Sequence, residues 1–96
     1  MSDIEEAWDE FQSEPFPEGC AGLEVEGIEL ASLDTFAAGC VDAFVAGGGR
    51  LDPGRLSALR RCSDELGIVV QKLDGEAKVY FERLRSLAGK VLASAK

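Results

Sequence analysis

Apolar residues in the C-terminal half recur at helical spacing in two segments. The first begins near residue 53 and has spacings of three, four, three and four between Leu59, Cys62, Leu66, Val69 and Leu73. The second, residues 76 to 93, has an apolar stripe at Phe81, Leu84, Ala88 and Val91. Because Asp74-Gly75 offers a turn and a new cap, the pattern predicts an antiparallel hairpin of helices over 53–73 and 76–93. The alternative is one bent helix through Gly75, since glycine costs only about 1 kcal/mol in a helix.

A third helix is predicted from a cap at Asp34 to about Ala46. Its apolar stripe consists of Phe36, Ala37, Cys40, Val41, Phe44 and Val45. Glycines 47–49 end it, because glycine adopts the left-handed conformation at least cost, and Asp52-Pro53 supplies a favoured cap and first residue for the next helix. The stretch AGGGRLDPGR is therefore a connector. A phosphate-binding loop would have lysine where Arg55 stands, and the Asp52 carboxylate already occupies the helix start.

Residues 23 to 33 alternate between apolar and acidic positions. This period of two predicts two short strands around Glu26-Gly27, where glycine supplies the positive φ that a tight hairpin turn needs. Such a hairpin is marginal alone and must lie on helices or pair with a second copy.

The acidic N-terminal segment supplies the candidate partner-binding residues. A helix is predicted over residues 2 to 14, and a linker of prolines and Gly19 follows it. Its apolar face has the spacing of side chains that anchor a helix in a groove of another protein. The favoured alternative is that this face packs on the protein's own helix hairpin, because exposing the only tryptophan is costly. Its like charges at i, i+4 indicate a solvated acidic face rather than a cation site. The candidates are Ile4, Trp8 and Phe11 with Glu5, Glu6, Asp9 and Glu10.

Length and composition predict a small, mainly α-helical bundle with a minor β-hairpin. The 96 residues suit one domain, in which 1–19 form the acidic helix and linker and 20–96 the core. The 46% apolar content is that of a folded chain, and no run of about 18 apolar residues would cross a membrane. The acidic start is unlike a secretory signal, and three cysteines are an odd set for disulfides. We therefore expect a cytoplasmic protein with reduced thiols.

The chain contains no histidine. Histidine is the commonest general base, the commonest metal ligand and the usual partner of a nucleophilic serine or cysteine. We therefore expect no enzyme, and the sequence predicts no catalytic residue, no cofactor and no metal site.

Charge divides the chain at Arg50. Residues 1–49 hold twelve carboxylates and no basic residue, whereas residues 50–96 hold all ten basic residues and six acidic ones. Direct nucleic-acid binding is not expected, because the tethered carboxylates would compete for every basic site. The prediction is a protein-interaction or regulatory module, self-associating as a homodimer or acting on a basic protein. The alternative is an acidic inhibitor, such as an antitoxin or immunity protein, that blocks a nucleic-acid-acting partner by charge mimicry.

Overall fold

The helices lie close to where the apolar pattern predicts them. The computed structural model describes residues 3–95, and its elements are α1 (Asp3–Gln12), β1 (Glu24–Val25), β2 (Ile28–Glu29), α2 (Leu30–Ala46), α3 (Pro53–Lys72) and α4 (Gly75–Ser94). The predicted mainly α-helical bundle with a minor β-hairpin is confirmed. The predicted helix start at Ser2 lies outside the described residues. Between residues 3 and 95, none of the helices has the length and apolar character needed to span a bilayer.

The hairpin of α3 and α4 is the most extensive helix pairing. Asp52 caps α3 as predicted, since its carboxylate accepts the Arg55 backbone N–H at 3.1 Å and Pro53 follows it. The alternative of one continuous helix is wrong. Leu73 and Asp74 are both extended (φ −99° and −142°), and the chain re-enters a helix at Gly75 with φ +62°. Asp74 occupies the cap position of α4, but its side chain makes no capping hydrogen bond.

Helix α2 begins five residues earlier than predicted, with its cap at Glu29 rather than Asp34. It starts at Leu30, directly after β2, so Asp34 lies inside the helix and the predicted cap at Asp34 is wrong. The predicted end is confirmed: Gly48 has φ +70°, its N–H donates to the Val45 carbonyl at 3.2 Å, and the Gly49 N–H donates to the Phe44 carbonyl at 2.9 Å. These two bonds form a Schellman motif, which satisfies the last carbonyls of the helix.

The short β-hairpin is also confirmed. Glu24 pairs with Glu29 and Val25 with Ile28 in an antiparallel register. Both turn residues have positive φ (54° at Glu26 and 78° at Gly27), as the favoured two-residue turn requires. The hairpin leads straight into α2 and packs beside it.

The core lies where α2, α3 and α4 meet, and α1 covers it against α4 and α2. The largest side chains with under 2% exposure are Phe81, Leu30, Leu59, Leu66, Leu84, Val41, Val69 and Val91. Full burial of such a side chain contributes about 1.5–3 kcal/mol, which makes this apolar contact the main stabilising term of the fold.

Candidate protein-binding surface

The seven predicted partner-binding residues lie on two opposite faces of α1. Ile4, Trp8 and Phe11 are buried, each with 7% exposure or less, and they belong to the core. The alternative that this face packs on the protein's own helices is therefore confirmed. None of the three side chains is accessible to a partner while α1 is docked. Glu5, Glu6, Asp9 and Glu10 are all exposed, so the surface that α1 presents is acidic.

Aromatic contacts fasten α1 and the following linker to α4. The Phe11 ring lies 4.8 Å from the Tyr80 ring between centroids, and Trp8 lies 6.1 Å from Phe11. Phe16, in the linker, meets Tyr80 edge-on at 5.7 Å and Phe81 at 6.1 Å. Such pairs contribute about 0.5–1.5 kcal/mol each beyond their burial. The N-terminal segment is therefore an integral part of the bundle.

Tyr80 also makes a polar contact across the bundle. Its hydroxyl donates to Asp34 Oδ1 at 2.7 Å. Burial raises the pKa of the Asp34 carboxyl, and the Tyr80 hydrogen bond partly offsets that rise. Burial and the nearby carboxylate both raise the pKa of the Tyr80 hydroxyl. Asp34 therefore joins α2 to α4 through a tertiary hydrogen bond instead of capping a helix.

Ion pairs join the acidic half to the basic half within the folded chain. Arg83 Nη1 lies 3.0 Å from Glu14 Oε1, and Lys72 Nζ lies 3.8 Å from Glu26 Oε2. A third pair, Arg55 with Asp52 at 2.7 Å, is local to the start of α3. All six side chains are at least 42% exposed, so these pairs contribute little to stability. The first two favour the observed placement of the N-terminal segment and the β-hairpin on the helices.

The AGGGRLDPGR connector holds no built anion site. The Asp52 carboxylate accepts from both the backbone N–H and the guanidinium of Arg55, and these hydrogen bonds lower the pKa of Asp52. A carboxylate thus occupies the start of α3, where a phosphate would have to approach.

The three cysteines are free and buried. Burial raises the pKa of each thiol, which disfavours the reactive thiolate. The Cys40 thiol donates weakly to the Arg55 carbonyl at 3.7 Å, tying α2 to the start of α3. These thiols therefore serve in packing.

An open groove between the β-hairpin, α2 and α3 is the surface that sequence reasoning missed. We call it the Phe36 groove; it has a volume of about 300 Å³ and is bordered by Ile28, Glu29, Phe36, Ala58, Arg61 and Glu65. Phe36 was expected in the buried stripe of α2, and that expectation is wrong: the side chain is 66% exposed, more than any other large apolar residue among those described. The buried stripe runs through Leu30, Leu33 and Ala37, and Phe36 lies about a quarter turn away from its centre.

No protein-family model, curated protein or solved structure matches this chain.

Proposed function

We propose that the protein is a non-enzymatic protein-interaction module that associates with a second copy of itself. The observation that supports this most directly is the 66% exposure of Phe36 on a rigid helix beside an open groove. Full burial of a phenylalanine side chain contributes about 1.5–3 kcal/mol, so leaving two thirds of this one in water forgoes about 1–2 kcal/mol. Protein interfaces use aromatic anchors of this kind, seated near a pocket on the partner.

Charge supports the proposal as a source of orientation rather than of affinity. The α1 surface is acidic, whereas Arg60 and Arg61 are exposed on α3. Complementary exposed charges speed encounter and select one relative arrangement, while each pair contributes only about 0.2–1 kcal/mol. The proposal includes a cytoplasmic location, which the three free thiols support, since disulfides persist mainly in oxidising compartments.

Sedimentation velocity over a concentration series tests the proposal. We expect the mass to rise from the monomer value of 10.2 kDa to twice that value. A chain that stays monomeric up to about 100 μM, where association would be weaker than about −5.5 kcal/mol, would refute self-association.

The acidic face of α1 favours a second candidate function, an inhibitor that blocks a basic, nucleic-acid-acting protein by charge mimicry. The apolar face of α1 is fixed in the core, so its carboxylates are displayed on a rigid helix. The test is affinity capture with the wild type and with the triple variant Glu6→Gln, Asp9→Asn, Glu10→Gln. A basic partner held by the wild type and lost by the variant supports inhibition; equal capture by both proteins argues against it.

A further inference from the structure

We propose that the second copy docks in the Phe36 groove about a two-fold axis, with Phe36 of each copy seated in the groove of the other. This inference rests on the self-association proposed above and assigns it a surface. A two-fold contact uses the same patch twice and closes at two copies, so it produces a dimer rather than a filament. The groove volume of about 300 Å³ is at the small end for binding sites, which suits a single aromatic side chain.

The charges at the edge of the groove identify the occupant as another copy of this chain. Arg61 lines the same groove as two carboxylates, those of Glu29 and Glu65. Glu29 is held in place because the Ser32 hydroxyl donates to its carboxylate. Arg61 is exposed and makes no ion pair within residues 3–95. The edge thus carries both signs, and a two-fold axis through the groove brings Arg61 of each copy to the carboxylates of the other.

The net charge of the chain strengthens this assignment. At −8, two copies repel each other over most orientations. The groove carries one cation and two carboxylates, so two copies repel each other less on this face than across the acidic surface of α1.

The first experiment compares Phe36→Asp with Val79→Asp by sedimentation velocity. Val79 is a matched control because it is 49% exposed on α4 and lines a different groove, beside Pro15–Pro17. Both variants should keep the wild-type circular dichroism, since neither side chain belongs to the buried core. We expect Phe36→Asp to raise the dimer Kd by about 100-fold or more, because each dimer loses two anchors, and Val79→Asp to leave it within about threefold.

The second experiment tests the two-fold pairing by charge exchange. Arg61→Glu alone places three carboxylates at the edge, and Glu29→Lys/Glu65→Lys alone places three cations there, so each variant should be monomeric. In an equimolar mixture every pair becomes complementary, and we expect a heterodimer with a Kd within about tenfold of the wild type.

The outcomes separate this inference from the function on which it rests. A monomeric wild type overturns both. A wild-type dimer that Phe36→Asp leaves intact overturns the groove and retains self-association. Loss of the dimer in Phe36→Asp and Val79→Asp alike also overturns the groove. Loss in Phe36→Asp alone, without recovery in the charge-exchange mixture, overturns the two-fold pairing.

Discussion

Replacing Tyr80 with phenylalanine removes a single hydroxyl and leaves the aromatic packing in place. That hydroxyl donates to Asp34 at 2.7 Å, and no other hydrogen bond to this carboxylate is seen among residues 3–95. A hydrogen bond to a charged group contributes about 1.5–3 kcal/mol, and the partial exposure of Asp34 lets water replace some of it. We therefore expect Tyr80→Phe to lower the free energy of unfolding by about 1–2 kcal/mol at pH 7. For a domain of this size the midpoint of thermal unfolding then falls by roughly 4–12 °C.

The pH dependence distinguishes this hydrogen bond from a packing defect. Burial raises the pKa of Asp34 in the folded protein above its pKa in the unfolded chain. Protonation of Asp34 therefore adds to the free energy of unfolding at low pH, and this added stability is lost as the pH rises through the folded pKa. Removing the hydroxyl raises this pKa further, because the carboxylate loses a donor. The cost of Tyr80→Phe should therefore be largest at pH 7 and shrink as the pH approaches about 4.

Urea unfolding at both pH values, followed by circular dichroism, measures this effect. Asp34→Asn is the matched control, because its amide oxygen still accepts the Tyr80 hydroxyl but carries no titrating charge; its stability change should not follow this pH trend. Tyr80 ionisation predicts a further difference. The raised pKa of Tyr80 means that the wild type loses stability above its ordinary value of 10.0, and Tyr80→Phe should not show that loss. A cost below about 0.5 kcal/mol at pH 7, or one unchanged at pH 4, would refute this account of the contact.

Three further expectations concern the helix ends and the single tryptophan. Gly48→Ala forces a left-handed φ of +70° on alanine and should destabilise the fold by about 1 kcal/mol. Gly39 lies inside α2 with open space around it, so Gly39→Ala should stabilise the fold by about 0.5–1 kcal/mol. Denaturant titrations in which both substitutions change the free energy of unfolding in the same direction would contradict this. Asp52→Ala removes the cap of α3 and should lower the midpoint of thermal unfolding. Because the pKa of Asp52 is lowered in the folded protein, the stability that its carboxylate contributes is lost as the pH falls through that pKa. A difference in thermal midpoint between variant and wild type that stays the same in acid would argue against a cap. Trp8, 7% exposed, should emit at short wavelength and shift to the red on unfolding, and a red-shifted native spectrum would contradict its burial.

The parts of the fold that the sequence predicts correctly are those governed by local rules. The spacing of Leu59, Leu66 and Val69 indicates one packed face whatever the neighbour, and Asp52-Pro53 marks a helix start by its own chemistry. The start of α2 is misjudged because Leu30 fits both the alternating pattern of the strands and the helical stripe that follows. Only packing on the other helices decides between the two periods.

The candidate site could be predicted only in part, because long-range contacts decide it. The buried and exposed faces of α1 follow from its own spacing. The partner of Asp34, in contrast, is Tyr80, 46 residues away, and nothing near Asp34 in the chain indicates it. The exposure of Phe36 depends on how α2 is rotated against the helices on which it packs. A hydrophobic residue at the edge of a buried stripe cannot be assigned to the core or the surface until the rotation of its helix is known.

The contact between Phe11 and Tyr80 has a consequence for how the chain is made. A ribosome synthesises α1 before α4, so the surface of α4 on which α1 docks is absent until α4 has emerged. A ten-residue helix is marginal in water on its own. During synthesis Ile4, Trp8 and Phe11 are therefore exposed on an unfolded segment, where the neighbouring carboxylates oppose aggregation by charge repulsion. We therefore expect the acidic residues of α1 to keep this segment soluble until α4 is available for docking.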